Sequence, residues 1–234
     1  MKKTATLMAV ALLGAMSVAF GGQKLNIAQP VQQEASPWAV EIGATYNWGM
    51  NKFLKNGSAI TKKNHVNTLG GDITGVYNLD ENNAVTLRFG YAWGQDKFAV
   101  SPFGEYVPSS WLKETSHTFS LMPGYRYTVA IDDKWSVYGG VNIGISNTSI
   151  KLAEHVNLDR HSSFTEEAHG SAWGFAYSVE IGANYAVTDN VRLFAAGTFS
   201  GNTATPKVKY DGYTVCKGNH QVYLGVRAGV SYSF

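Results

Sequence analysis

From residue 38 onward, apolar and polar positions alternate along the chain. Trp38, Val40, Ile42, Ala44, Tyr46, Trp48 and Met50 are apolar or aromatic, whereas Ala39, Glu41, Gly43, Thr45, Asn47 and Gly49 between them are small or polar. Side chains alternate faces along a strand, so this segment predicts a strand with one greasy face and one small, polar face. The same alternation recurs over 67–79, 85–94, 116–127, 135–147, 172–187, 191–200 and 221–234. Eight strands result. Each is about as long as the ~9–11 residues a tilted membrane strand needs, or longer, and most exceed the ~5–6 residues common in soluble sheets.

The connections alternate as well. Asp80–Asn83, Thr128–Lys134 and Thr188–Asn190 are short and rich in Asp and Asn, whereas the segments near 51–66, 95–115, 148–171 and 201–220 are long. Short turns on one side and long loops on the other are how outer-membrane barrels are built, with the short turns in the periplasm. Outward aromatics fall into two groups. Trp38, Tyr77, Tyr125, Tyr127, Trp135, Tyr185, Tyr232 and Phe234 lie near the short turns, and Tyr46, Trp48, Tyr91, Trp93, Trp173, Phe175 and Phe199 near the long loops. Aliphatic residues fill the band between, the arrangement of two interfacial girdles. A soluble β-sandwich accounts for the alternation but for neither the belts nor the loop asymmetry. The predicted fold is therefore all-β: an eight-stranded antiparallel up-and-down transmembrane β-barrel over 37–234. It must close, because an open sheet edge in lipid strands backbone groups without partners.

Composition adds three points. Aromatics at 13% and charged residues at only 15% argue against disorder. The single cysteine, Cys216, cannot form an internal disulfide and reads as an unpaired surface or rim thiol. The formal net charge is +2. Lys2 and Lys3 supply that excess and belong to a leader, so no electrostatic footprint for nucleic acid remains. The opening MKKTATLMAVALLGAMSVAF has a cationic start, an apolar run from Ala5 to Val18 and small residues at Ser17 and Ala19. It reads as a secretory signal peptide over 1–19, followed by a polar, Gln-rich periplasmic lead-in over 20–36. Export by this route implies a bacterial envelope and, with the barrel, the outer membrane.

The inward faces carry charge. Glu41, Asp72, Arg88, Arg126, Glu180, Arg192 and Arg227 lie there among Gly, Ser, Thr and Asn. Eight strands enclose an interior just wide enough for side chains, and unpaired charges there are costly. These residues are expected to pair across the lumen as an ion-pair network that plugs it; a gated polar path or proton relay is the sharper alternative.

The segments LMPGYRY (121–127), WSVYGGVNIGIS (135–146), GFAYSVEIGANYAVTDNVRL (174–193) and GVRAGVSYSF (225–234) resemble the small eight-stranded outer-membrane barrels grouped with OmpX and the transmembrane part of OmpA. The resemblance covers 115–234 in sequence and 38–94 by pattern. It implies that Tyr232 and Phe234 form the C-terminal signal read by the barrel-assembly machinery. It also implies contact with outer-membrane lipid and lipopolysaccharide, and a monomer. With Phe234 as the last residue, the peptidoglycan-binding domain of OmpA is expected to be absent. Family roles include adhesion, invasion and complement resistance, so a non-enzymatic surface role is expected: envelope structure, or attachment to a host or environmental ligand through the long loops.

His161-Ser162-Ser163 followed by Glu166 and Glu167 is similar to the His-x-Ser pair of a lipid A deacylase, since a His activates a Ser when an acid orients it. These residues lie in a polar loop, away from any acyl chain, so no catalytic residue and no enzyme is expected. His155, His161 and His169 match no metal-site spacing, and neither metal nor cofactor is expected. Phe98, Phe103, Tyr106 and Trp111 place aromatics where water is expected, a candidate surface-binding loop. A narrow OmpW-like conduit for small or apolar molecules is the first alternative function, and a lipid A-modifying enzyme the second.

Overall fold

A computed structural model describes residues 37–51, 54–55, 66–100, 110–157 and 163–234. The expected signal segment 1–19 and the lead-in 20–36 lie outside the described residues. Among the described residues eleven strands form, in order β1 (Trp38–Gly49), β2 (Leu54–Lys55), β3 (Thr68–Asn78), β4 (Asn83–Val100), β5 (Ser110–Ala130), β6 (Trp135–Asn157), β7 (Ser163–Ala186), β8 (Val191–Asn202), β9 (Lys207–Tyr210), β10 (Tyr213–Gly218) and β11 (Gln221–Ser233). Eight of them make the barrel wall. Each pairs antiparallel with the next: β1 with β3, then β4, β5, β6, β7, β8 and β11, and β11 returns to β1 with Tyr46 opposite Val226 and Val40 opposite Tyr232. The sheet is closed, so the wall has no free edge to satisfy within lipid.

The distribution of side chains is inverted relative to a water-soluble protein. Outward Ile42, Ile143 and Phe175 are each more than 60% exposed, whereas inward Glu41, Glu180 and Arg227 are at most 2% exposed. The aromatics form the two belts. Trp38 meets Tyr77 at 4.7 Å and Trp135 meets Tyr185 at 4.9 Å between ring centroids near the short turns. At the other end Tyr46 meets Trp48 at 5.0 Å, and Tyr91 meets Phe119 at 4.9 Å.

The short turns are locked by their first polar residue. Asp80 Oδ1 accepts from the backbone N–H of Asn82 and Asn83 at 2.8 Å. Asp132 Oδ1 accepts from Lys134 and Trp135 at 2.8 and 2.7 Å, and Thr188 Oγ1 accepts from Val191 at 3.0 Å. Such side chains mimic a backbone turn. The donated N–H groups hold the carboxyls of Asp80 and Asp132 below the usual aspartate range.

The long connections differ from the sequence expectation. Much of 95–115 and 148–171 is strand: β4 and β5 stay paired up to Val100 opposite Ser110, and β6 and β7 up to Asn157 opposite Ser163. The ladder continues because backbone pairing needs no apolar face. Above the membrane the outward side is wet, and the pattern loses the greasy stripe that marks a strand in lipid. The last long connection adds the β9–β10 hairpin, turning at Asp211 and Gly212 with φ of 45° and 82°. It joins β7 where Lys209 faces His169, and β2 through Lys217 opposite Lys55. Val208 and Cys216 of the hairpin are buried with Val66, Ile150, Leu152 and Ala168, forming an apolar layer above the polar lumen.

Candidate functional site

The lumen holds one cluster of three arginines and three acids. Alternation fixes which side of each strand faces inward, and register brings the six to a common level. Arg227 on β11 bonds Asp72 on β3 through Nε at 2.9 Å and Nη2 at 2.5 Å, and Glu41 on β1 through Nη1 at 3.2 Å. Arg88 on β4 places Nη2 at 2.8 and 2.7 Å from the two oxygens of Glu180 on β7. Arg126 on β5 bonds Glu41 through both terminal nitrogens and reaches Glu180 Oε1 at 3.3 Å. Thr74 ties the set together: its hydroxyl donates to Asp72 at 3.1 Å and accepts from Arg88 and Arg227 at 3.3 and 3.2 Å.

Arg126 also stacks over the Tyr138 ring at 4.4 Å, and Arg227 over the Phe194 ring at 4.3 Å. All six charged residues are buried, and their formal charges cancel. Glycine makes the room. A Cβ on Gly43 would lie 3.1 Å from both Arg227 Nε and Asp72 Oδ2, so even alanine would press on the pair. Above the cluster lies a cavity of about 120 Å³, whose polar lining includes Thr45, Asn47, Ser120, Ser178 and Thr198.

The extracellular extension holds a buried acid. Glu114 on β5 has no solvent exposure, and among the described residues neither carboxylate oxygen has a hydrogen-bond partner. Its strand neighbours are Asp96 on β4 and Leu152 on β6. Burial, reinforced by the Asp96 charge, pushes its pKa up to about 8. The carboxyl is therefore largely neutral at pH 7. Burial and Glu114 together push the Cys216 thiol up to about 11. On the outer surface, Glu167 bonds Lys151 at 2.6 Å and lies 3.6 Å from His169. The Lys151 ammonium holds the Glu167 carboxyl below its usual range.

The sequence matches the family model for the outer membrane protein beta-barrel domain over residues 6–234. The chain belongs to this family. A search of curated proteins finds no match. Among solved structures, this family member is similar to Neisserial surface protein A at 17% identity and a TM-score of 0.46, covering 86% of this chain and 100% of that one. It is also similar to OprG from Pseudomonas aeruginosa at 15% identity and a TM-score of 0.45, covering 86% and 96%. The attachment invasion locus protein Ail of Yersinia pestis matches at 15% identity and a TM-score of 0.41, covering 84% and 98%.

In this outer-membrane barrel, six of the seven charges expected in the lumen meet. Arg192 does not. It stands on the inward side of β8 but only two residues past the turn at Asn190, and it is exposed. Water at the periplasmic mouth solvates it, so it needs no partner. The arginine side chains are long enough to gather the six charges into one cluster.

Tyr232 and Phe234 are exposed on the outer wall, their rings 5.3 Å apart. Of the proposed surface-binding residues, Phe103 and Tyr106 lie outside the described residues, as do the Phe98 and Trp111 side chains. His161 and Ser162 are likewise outside. Cys216, read as a surface or rim thiol, is buried instead, because it sits on the inward side of β10. Sequence reading missed Glu114. The signal was its spacing, two residues before the inward Ser116 on the same strand.

Proposed function

We propose that this barrel is a non-enzymatic structural and display element of the outer membrane, sealed through its lumen, whose extracellular extensions meet the surroundings. One observation carries the reading: a charge-balanced, hydrogen-bonded cluster at mid-height in a lumen of eight strands, which leaves space only for side chains. The cavity above it is sized for a few ordered waters rather than a flow of solute. The apolar layer around Val208 and Ile150 adds a second barrier toward the outside. Attachment to a host or environmental surface would use the β4–β5 and β6–β7 extensions, which project the long connections beyond the membrane.

Planar-bilayer recording tests the seal. The reading expects no steps above background at neutral pH. Steady single-channel steps from the intact protein would favour the conduit instead. Shortening the β4–β5 and β6–β7 extensions should abolish binding to any surface that the whole protein recognises.

A further inference from the structure

Glu114 lies directly opposite Asp96 across β5 and β4. Buried Ser116 and Gly94, two residues away on each strand, put both carboxyls on the inward side. Asp96 is half-buried, and its Oδ1 accepts from the Lys97 N–H at 2.8 Å. Glu114 is fully buried with both oxygens unbonded among the described residues. Around it stand Asp96 from β4 and Leu152 from β6. The Cys216 thiol from β10 and the Tyr223 phenol from β11 lie within reach of its charge. None of these four is a cation.

Two facing carboxyls do not both ionise cheaply, because like charges opposed across strands repel. Asp96 reaches water and takes the negative charge. Glu114 keeps its proton, since a bare carboxylate beside the apolar layer of Leu152, Val208 and Cys216 would be costly. Its own strand cannot turn it out, because β5 is paired to β4 on one side and to β6 on the other at this level.

The cover on the other side of the layer is held far more thinly. The β9–β10 hairpin pairs with β7 where Lys209 meets His169, and with β2 where Lys217 and Gly218 meet Lys55 and Leu54. Its base is tied where the Thr203 N–H donates to Phe175 O at 2.8 Å and the Gly218 N–H to Pro206 O at 2.7 Å. Beyond that base, burial of Val208 and Cys216 in the layer holds it down. We propose that Glu114 is the latch of this cover: protonated, it lets the hairpin close over the lumen, and ionised, it draws water into the layer, so that the hairpin swings outward on its base. The cavity above the charged cluster is then reached from outside. The cluster itself stays closed, so the device is a lid on a one-ended cup.

Pulsed electron paramagnetic resonance on the full chain in lipid vesicles tests it. Spin labels go on Gln95→Cys of β4 and on Tyr213→Cys at the exposed end of the hairpin, with Cys216→Ala removing the native thiol. From pH 6 to pH 10 the distance between the labels should lengthen by one strand spacing, ~5 Å, with its midpoint at about pH 8. Glu114→Gln should hold the short distance throughout. Asp96→Asn should move the midpoint to lower pH, because without the facing charge Glu114 ionises more easily. A distance that stays constant in the labelled protein overturns the proposal, as does a transition that Glu114→Gln retains. Should Glu114→Gln not assemble, Asp96→Asn decides, and a midpoint that does not fall overturns it. Channel steps in a planar bilayer would defeat the sealed-lumen reading and leave the lid's response to pH as it is.

Discussion

Arg227 is the residue on which the lumen turns, because it contacts Asp72, Glu41, Thr74 and Phe194 together. Removing one partner of a buried network leaves the other charges uncompensated, at about 3–5 kcal/mol. Arg227→Leu should therefore lower the unfolding free energy, read from urea titration in lipid vesicles, by that order; an unchanged value would mean the cluster is incidental to stability.

Glu114 makes a pH-dependent prediction. Its folded pKa, about 8, stands above the ordinary glutamate value of 4.5. The protonated form is the one the fold favours, so its stabilisation is full below about pH 4.5 and is lost as pH rises through 8. Hydrogen exchange around residues 113–116 should accelerate from pH 5 to pH 9, after correction for intrinsic exchange, and Glu114→Gln should flatten the rise. The same slope in both proteins would assign it to another group. The inward charges were readable because a strand has a period of two and lipid enforces it without exception. Arg192 was misplaced because period gives the side and not the depth, and depth decides whether water reaches a charge.

At the scale of elements, the β9–β10 hairpin covers the extracellular mouth with Val208 and Cys216. The lone cysteine reports on this cover. A buried thiol with its pKa near 11 should react with a maleimide far more slowly than an exposed cysteine, and Val208→Asp, which puts a charge into the apolar layer, should raise the rate by at least about tenfold. Equal rates in the two proteins would show that the hairpin does not close over the layer.

The transmembrane parts of the eight wall strands were legible, since each has a continuous greasy face. Their extensions in 95–115 and 148–171 were not. There the outward face has no greasy stripe, and outward Lys113, Thr115 and Lys151 carry the polarity of a loop. The β9–β10 hairpin was hidden for the same reason: its apolar side is only two residues deep.

The whole molecule is organised by two solvents. Hydrocarbon takes the outward Ile, Leu, Val and aromatic residues, and a small polar interior takes the charges that a soluble protein would place outside. The mean hydropathy of −0.14 conceals this, because an average cannot register a pattern that reverses at every residue. The two aromatic belts mark how the barrel stands in the membrane.

The most direct test is refolding of the urea-denatured chain with and without lipid vesicles, followed by electrophoresis of unheated and boiled samples. A closed barrel whose outer face is solvated by hydrocarbon should gain β-structure, blue-shifted tryptophan emission and a compact, heat-modifiable band only when lipid or detergent is present. A chain that reaches the same compact state as a soluble monomer in buffer alone would contradict the account.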